Sequence, residues 1–429
     1  MKIYLDNSAS TRVSPEAAKA VYMAMTEAYA NPSALHTAGQ EAERLIKQAR
    51  HQIAFSLGTK PGNIVFTSGG TESVNLALFS AFYHGDSSGH SGDGSTCVRA
   101  RTQVEPSPLC PALLVSAVEH PAVLSAADAL AARGVEVGKI PVYDINSDWP
   151  GMVDATAFRA MLSKDVCLVS VMHVNNETGL IQPIDELSRI VNLYNSENGT
   201  SIKFHTDAVQ SYGKLAIDVV NGDFRRVDFV SMSAHKIHGP KGVGALYAAS
   251  PQKLHPMIFG GGQEGGVRSG TENVPGISGF GVCARRATAD IVGHAKQANA
   301  CRRRLLEGIL AEITDVQINS PADTSVTGKP GLASPYILNM SFLGTRGEVL
   351  VHELEKSGIF VSTGAACASL GKDGTKVSDT LMAIGLNKDA AEGALRFGIS
   401  WINKPEEMDF VVDRLKSAVG RFRRVGTYR

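Results

Sequence analysis

The chain has 429 residues, of which 43% are hydrophobic and 20% charged, and its 42 basic residues balance 42 acidic ones. This composition is typical of a soluble globular protein of roughly two to three domains with a large core. A formal net charge of zero gives no reason to expect nucleic acid or an anionic membrane as a partner. No apolar run approaches the roughly 20 residues of a membrane-spanning helix.

The N-terminus and the cysteines indicate the cellular compartment. No basic segment followed by an apolar one precedes the first strand-like residues, so we expect no signal peptide. The six cysteines lie too far apart for a C-x-x-C pair or a dense disulfide framework, and we expect no metal site. A cytoplasmic protein in a reducing environment fits this pattern best. The positions are Cys97, Cys110, Cys167, Cys283, Cys301 and Cys367.

The first part of the chain shows two helices, a strand and an irregular stretch. Ser14 as N-cap and Pro15 in the first turn predict the start of a helix. A second, amphipathic helix is predicted over residues 36–57, and a strand at 63–67 leads into a third helix. Residues 84–111 are rich in Gly, Ser and Pro without periodicity, which predicts a flexible surface insertion.

The middle of the chain alternates between strand-like and helical runs, which predicts an α/β domain with a mostly parallel sheet. The strand-like runs lie at residues 113–117, 135–140, 166–171, 202–206, 228–231 and 244–247.

The last part of the chain predicts a second, smaller α/β domain. Its strand-like runs lie at residues 337–342, 359–362 and 395–400. A helical region at 275–313 separates them from the first domain. We therefore predict a large domain over residues 15–290 and a small domain formed by residues 1–14 and 291–429.

Two strand-like runs end in polar residues that suit one cofactor. Asp207 follows one run and Lys236 the next, so a parallel sheet would bring them together at its carboxyl edge. A carboxylate can keep a pyridine nitrogen protonated, and a lysine can hold an aldehyde as a Schiff base. Gln210 could reach a ring hydroxyl, and Ser233 and His235 could donate to a phosphate. The pattern predicts a pyridoxal phosphate site over the alternative of unrelated strand-end residues.

A glycine turn between a strand and a helix includes Gly70 and Thr71. Backbone N–H groups at such a turn can close on an anion, and the helix dipole assists them. An ordinary tight turn is the alternative. The turn lacks the G-x-G-x-x-G pattern followed by an acid, so a nicotinamide dinucleotide site is disfavoured.

Three further polar residues follow or lie within strands. His120 could stack on a pyridine ring and move protons, or it could be a structural histidine. Asn176 could bind the ring hydroxyl or a substrate carboxylate, or it could belong to an ordinary turn. Arg396 lies in an apolar strand and therefore needs a buried anion, either a substrate carboxylate or a structural one.

Two candidates belong to loops. Thr271 lies in a glycine-rich loop that could reach a neighbouring active site, and a loop with surface charges is the alternative. Cys367 follows a strand and is surrounded by Gly, Ala and Ser. Small residues suit a loop that lets a nucleophile reach a substrate, although most free cysteines are small core residues.

At these residues the chain resembles the cysteine desulfurases of the nitrogen-fixation and iron–sulfur-assembly type, which belong to the class V aminotransferase family. The resemblance covers nearly the whole chain apart from the insertion. It implies the α/β fold of type I pyridoxal phosphate-dependent transferases, with a mostly parallel seven-stranded sheet and a smaller C-terminal α/β domain. The matching motifs are T-S-G-G-T-E-S, E-H, H-V-N-N-E-T-G, H-T-D-A-V-Q-S, S-A-H-K-I-H-G-P-K-G, R-S-G-T-E-N and the cysteine loop.

The resemblance also implies a role for each candidate residue. Lys236 would hold the cofactor and move a proton from the substrate Cα, and Cys367 would accept the sulfur as a thiolate. Asn176 and Arg396 would hold the substrate carboxylate, and Thr271 would reach the phosphate in a partner subunit. The remaining cofactor contacts would be Asp207 to the pyridine nitrogen, His120 to the ring face, Gln210 to the ring hydroxyl, and Gly70, Thr71, Ser233 and His235 to the phosphate.

We therefore expect a homodimeric, pyridoxal phosphate-dependent cysteine desulfurase. It would convert L-cysteine to L-alanine and pass the sulfur, as a persulfide on Cys367, to an acceptor protein such as an iron–sulfur scaffold. A selenocysteine lyase shares the same site and stays open as an alternative, which relative turnover of the two amino acids would separate. A catalytically silent binding protein of this fold is the second alternative, and the intact Lys236, Asp207 and Cys367 disfavour it.

Overall fold

The computed structural model describes residues 2–82, 111–321, 332–364 and 377–426. Its helices are α1 (Pro15–Thr26), α2 (Thr37–Ser56), α3 (Gly70–Phe82), α4 (Pro121–Ala131), α5 (Ala155–Met161), α6 (Ile184–Asn198), α7 (Val274–Ala289), α8 (Ile291–Glu312), α9 (Gly347–Lys356), α10 (Asp379–Ala383), α11 (Lys388–Glu392) and α12 (Glu407–Gly426). Its strands are β1 (Ile3–Tyr4), β2 (Ile64–Thr67), β3 (Ala112–Ser116), β4 (Glu136–Ile140), β5 (Val166–Ser170), β6 (Lys203–Asp207), β7 (Phe229–Ser233), β8 (Gly244–Ala248), β9 (Val316–Ile318), β10 (Ile337–Phe342), β11 (Ile359–Phe360) and β12 (Ala394–Gly398).

Three predicted features fall wholly or mostly outside the described residues. They are the insertion at 84–111, its cysteines Cys97 and Cys110, and the loop with Cys367. In the part of the chain that is described, no helix is long and apolar enough to cross a membrane.

The large sheet has seven strands in the order β2-β8-β7-β6-β5-β3-β4. Strand β8 runs antiparallel to both neighbours, and the other neighbouring pairs are parallel. The predicted fold class, an α/β protein with a mostly parallel seven-stranded sheet, is therefore confirmed. Because β3, β5, β6 and β7 point the same way, the loops that follow them meet at one edge of the sheet.

Local signals in the sequence explain several element boundaries. Ser14 caps α1 by accepting a hydrogen bond from the backbone of Ala17, as the sequence predicts. The single helical region predicted at 275–313 is two helices, because Asp290 has a non-helical backbone conformation and caps α8 through Gly293. Asp290 thus acts as an N-cap residue in the middle of the predicted region.

Two smaller sheets complete the fold. β10 pairs antiparallel with β9 and β12, and β1 pairs parallel with β11. Ile3 and Leu5 pack in one apolar cluster with residues of α8, α12 and β10, apart from the largest cluster beneath the seven-stranded sheet. These clusters support the proposed division into a large domain (residues 15–290) and a small domain (residues 1–14 and 291–429), whose boundaries stay a prediction.

Candidate active site

A cavity of about 340 Å³ lies where the loops after the parallel strands meet β12 of the small sheet. Every predicted site residue lines this cavity except Thr271, which is on an exposed loop, and Cys367, which is outside the described residues. The fold thus brings together side chains that are up to about 300 residues apart in the chain. The predicted residues at the cavity are Gly70, Thr71, His120, Asn176, Asp207, Gln210, Ser233, His235, Lys236 and Arg396.

Lys236 ends the short 3-10 turn that follows β7. Its Nζ donates hydrogen bonds to the backbone carbonyls of Ser8 at 2.5 Å and Ala9 at 3.0 Å. The N-terminal segment therefore holds the amine at the cavity wall through neutral acceptors. A carbonyl acceptor orients the amine without forming an ion pair with it.

Asp207 ends β6 and is 6% exposed. Its Oδ1 accepts a hydrogen bond from the backbone of Val209 at 2.9 Å. Burial raises the pKa of Asp207 to about 6, although this hydrogen bond and the charge of Lys236 oppose the shift. A cationic group bound in the cavity would lower that pKa again, because it would stabilise the carboxylate.

Glu119 is a cavity residue that the sequence analysis did not assign a role. Its Oε1 accepts hydrogen bonds from Ser116 Oγ and from the backbone of Met172, both at 2.6 Å. Burial raises the pKa of Glu119 to about 8, and the nearby Asp207 adds to the rise. Glu119 is therefore protonated at neutral pH beside Asp207. Its position shortly after a buried strand, directly before His120, was the available signal.

The raised pKa of Glu119 makes stability depend on pH. The folded protein holds this proton up to about pH 8, whereas the unfolded chain loses it near the ordinary value of 4.5. The free energy of unfolding should therefore fall as the pH rises, by about 3 kcal/mol between pH 5 and 7 from this residue. Glu119→Gln should remove this decline in urea unfolding of the cofactor-free protein.

The control for this measurement is Glu136→Gln, which alters an exposed acid on β4. In that variant the free energy of unfolding should fall with pH as steeply as in the wild type, including the part of the fall that Asp207 contributes. If the free energy of unfolding fell equally with pH in the wild type and in Glu119→Gln, the prediction would be contradicted.

Two histidines at the cavity are neutral. His120 Nδ1 accepts a hydrogen bond from the backbone of Ala122 at 3.1 Å, so its proton lies on Nε2. His235 Nδ1 lies 3.3 Å from Ser10 Oγ. Burial, reinforced by the charge of Lys236, lowers the pKa of each histidine to about 4. Both rings can therefore act as neutral hydrogen-bonding and stacking groups at physiological pH.

One end of the cavity is suited to an anion. The N-terminus of α3 opens onto it at Gly70 and Thr71. A Cβ at Gly70 would lie 2.6 Å from Val209 Cγ2, so the close packing there favours glycine. Ser233 Oγ is buried without a hydrogen-bond partner among the described residues. A helix N-terminus beside an unpartnered hydroxyl supplies the donors that a phosphate group requires.

The cavity also contains Arg396, whose side chain is 5% exposed. Its Nη2 donates to Asp6 Oδ1 at 3.0 Å, and its Nη1 donates to the backbone carbonyl of Asn176 at 3.1 Å. Its Nε is buried and has no partner among the described residues. The structural carboxylate that the sequence left open is therefore Asp6, and the guanidinium keeps a donor for a further anion.

Glu177 is a second acid at the cavity that the sequence did not single out. Ser378 Oγ donates to its Oε2 at 2.6 Å, and burial raises its pKa. A Cβ at Gly364 would lie 2.9 Å from the same oxygen. Gly364 and Ser378 flank residues 365–376, which lie outside the described residues. Both ends of the segment that contains Cys367 thus reach the cavity wall at Glu177.

The loop with Thr271 is anchored to its own chain. Arg268 Nε donates to Glu72 Oε1 at 2.9 Å, and Glu72 Oε2 accepts from the backbone of Ser68 at 2.8 Å. Glu72 therefore ties the loop to the turn that leads into α3. Thr271 itself is exposed and lies outside the cavity of its own chain.

Comparison with known families and proteins gives consistent matches. Residues 3–91 and 111–411 match the model of the family described as Aminotransferase class-V, and the gap between the matched parts falls within the predicted insertion. A cysteine desulfurase IscS of Dictyoglomus turgidum is 35% identical over 428 residues, which cover 100% of this chain and 97% of that protein.

Solved structures show the same similarity. A NifS-like protein is 30% identical with a TM-score of 0.81, and the match covers 98% of this chain and 100% of the other. SspA, solved in complex with cysteine, is 30% identical with a TM-score of 0.71, and the match covers 93% of this chain and 99% of the other.

Proposed function

The chain belongs to the aminotransferase class-V family, and from this we propose that it is a pyridoxal phosphate-dependent cysteine desulfurase. It would convert L-cysteine to L-alanine and retain the sulfur as a persulfide on Cys367. The observation that carries the proposal is the joint presence of Lys236, Asp207 and Arg396 in one cavity. The similarity to a protein named cysteine desulfurase over 97% of its length supports the substrate.

The cavity residues fit pyridoxal phosphate. The unpartnered hydroxyl of Ser233 and the N-terminus of α3 at Gly70 offer donors for the phosphate group. Asp207 provides a buried carboxyl for the pyridine nitrogen, and Lys236 provides the amine for the aldehyde. When bound, the cofactor supplies an electron sink for negative charge at the substrate Cα.

We assign the other cofactor contacts to residues that line the same cavity. The neutral ring of His120 would cover one face of the pyridine ring, and Gln210 would donate to the ring oxygen. Thr71 and His235 would complete the phosphate site with Gly70 and Ser233. These assignments agree with the positions of the side chains around one continuous space.

Lys236 is the residue that would hold and move a proton at the substrate Cα. Its Nζ is already oriented by the carbonyls of Ser8 and Ala9, so it can exchange its proton without leaving the cavity wall. Asp207 would keep its charge because the ring nitrogen beside it is cationic. Protonated Glu119 adds no second negative charge at this place.

The sulfur step requires the thiolate of Cys367. Its sulfur would attack the sulfur of the substrate, so that one S–S bond forms and the Cβ–S bond of the substrate breaks. The carbon skeleton takes up a proton and leaves as alanine, and no external oxidant or reductant is needed. Gly364 and Ser378, the described residues before and after the segment with Cys367, both line the cavity.

Asn176 and Arg396 would hold the carboxylate of L-cysteine. Arg396 keeps its Nε for this purpose while Asp6 fixes the guanidinium. Arg396→Lys should raise KM for L-cysteine by about 10- to 100-fold, because a lysine ammonium cannot pair with Asp6 and also offer the Nε donor of the planar guanidinium. The expected change in kcat is smaller, and steady-state kinetics with L-cysteine would measure both.

A matched control is Arg304→Lys, which alters an exposed arginine paired with Asp409 and should leave KM unchanged. A fall in kcat with an unchanged KM for Arg396→Lys would indicate that Arg396 serves only as the structural partner of Asp6.

We further propose a cytoplasmic homodimer in which Thr271 reaches the phosphate site of the partner subunit. The exposure of Thr271 and the anchoring of its loop through Arg268 and Glu72 support this arrangement. The persulfide would then pass to an acceptor protein for iron–sulfur clusters or other sulfur-containing cofactors.

The test of the proposed function is to incubate the cofactor-loaded protein with L-cysteine and a thiol reductant, and to measure alanine and sulfide. Equal amounts of the two products are expected. L-selenocysteine in a parallel reaction gives the preference between sulfur and selenium. Covalently bound cofactor without alanine from either amino acid would overturn the assignment.

A further inference from the structure

Lys214 is a buried lysine that the reaction described above does not use. It is 3% exposed and forms no ion pair with any described residue. Its Nζ lies 3.3 Å from Gln210 Oε1 and 5.6 Å from the centroid of the Tyr336 ring. Burying a charged amine without an acidic partner costs free energy. The position of Lys214 beside Gln210 therefore needs an explanation.

The turn after β6 places these two side chains on one face. Tyr212 N donates to Ala208 O, and Leu215 N donates to Ser211 O, so the stretch folds into successive turns, and Gly213 has a positive φ of 69°. Lys214 therefore contacts Gln210, which lines the cavity, without lining the cavity itself.

The amide of Gln210 has two ends with opposite hydrogen-bonding properties. Its Oε1 accepts from Lys214, and its Nε2 donates to the carbonyl of Ser8 at 2.8 Å. The same carbonyl accepts from Lys236. A protonated lysine only donates, so it selects the oxygen end of the amide. The nitrogen end then remains for Ser8, and its second hydrogen is available to a ligand in the cavity.

We propose that Lys214 is a positioning residue of the cofactor site, which fixes the amide of Gln210 so that its nitrogen is presented to the ring oxygen of pyridoxal phosphate. This inference rests on the proposed function, since it concerns the same cofactor. Without Lys214 the amide can turn over and direct its own oxygen at the ring oxygen. Two acceptors that face each other weaken binding of the cofactor.

The charges around Lys214 make this contact sensitive to pH. The charged or titratable groups that act on it or feel its charge are Lys236, Arg396, His235 and His238, and the ring of Tyr336 packs against it. Burial, with the charges of Lys236 and Arg396, lowers the pKa of Lys214 to about 7. The protonated amine, which only donates, fixes the Gln210 amide at lower pH. As the pH rises through about 7 the amine becomes neutral and can both donate and accept, so it no longer selects the oxygen end of the amide.

The test measures cofactor binding and needs no turnover. Cofactor-free protein is titrated with pyridoxal phosphate from pH 6 to 9, and tryptophan fluorescence and visible absorbance give the dissociation constant. Lys214→Met is expected to bind about tenfold more weakly at pH 6. The difference from the wild type should shrink as the pH rises. Lys214→Arg, which keeps a group that only donates, should retain the affinity of the wild type.

A double-mutant cycle shows whether Lys214 acts through Gln210. In a Gln210→Ala background, Lys214→Met should change the affinity by less than about twofold. A tenfold loss in that background, or unchanged affinity of Lys214→Met alone, would overturn the proposal. Lys203→Met, at a half-buried lysine paired with Asp228 away from the cavity, is the matched control.

Two further measurements keep the result interpretable. If the thermal midpoint shows that Lys214→Met does not fold, Lys214→Gln repeats the comparison, because its amide does not force the orientation of Gln210. Failure of the wild type to produce alanine would overturn the proposed function, while the binding data would still decide the role of Lys214.

Discussion

A Lys236→Ala variant is expected to lose the covalent attachment of pyridoxal phosphate and to lose desulfurase activity by about 10⁴-fold or more. The reason is that one amine serves both purposes. Its Nζ is held at the cavity wall by two backbone carbonyls, and the alanine side chain offers neither a nucleophile nor a proton carrier. Visible absorbance after dialysis measures the attachment, and alanine production measures the activity.

The control for this experiment is Lys253→Ala, which alters an exposed lysine after β8 and should behave as the wild type. Added methylamine should restore part of the activity of Lys236→Ala if the cavity is otherwise intact. A variant that keeps the visible band of the attached cofactor would show that another amine forms the bond. The buried Lys214 would then be the first lysine to substitute.

The meeting of the residues proposed for the cofactor at one cavity could be predicted from the sequence, because they follow recognisable strands. Asp207 is the last residue of β6, and Lys236 lies just after β7. Neighbouring parallel strands place residues at their carboxyl ends side by side. Similarly, Ser14 and Pro15 mark the start of α1 by local chemistry alone. Short-range patterns of this kind are visible in the chain before any tertiary contact is known.

The remaining features depend on contacts between distant parts of the chain. Arg396 pairs with Asp6, which is 390 residues away, and nothing near either residue indicates the other. The roles of Glu119 and Lys214 follow from their burial, and their contacts with Met172 and Tyr336 join parts of the chain that are distant in sequence. Short elements such as β9 and α10 were missed because three or five residues show no periodicity.

The cavity also has a consistent distribution of charge. Arg396 carries a positive charge at the cavity, and its partner Asp6 belongs to the N-terminal segment that also supplies the carbonyls for Lys236. Burial keeps Glu119 protonated at neutral pH, which leaves Asp207 as the acid that we propose for the ring nitrogen. This distribution of charge supports the proposal that the site binds an amino acid whose carboxylate is held by Arg396.

A Cys367→Ala variant is expected to abolish sulfide release from L-cysteine, by at least about 10³-fold, while the cofactor stays attached. The nucleophile that accepts the sulfur is removed, whereas every described residue of the cofactor site remains. Binding of L-cysteine should still change the absorbance of the bound cofactor. Sulfide and alanine are measured together with the visible spectrum, so loss of the sulfur acceptor is distinguished from loss of the cofactor.

The matched control is Cys167→Ala, which removes a partly exposed cysteine on β5 that does not line the cavity. It should release sulfide at the rate of the wild type. Labelling with a persulfide-specific reagent should modify Cys367 in the wild type and in Cys167→Ala, but give no signal in Cys367→Ala. Equal sulfide release by Cys367→Ala would show that the sulfur leaves directly from the substrate. The reaction would then be a lyase reaction without a persulfide on the enzyme. The contacts of Gly364 and Ser378 with Glu177 at the cavity would then need another explanation.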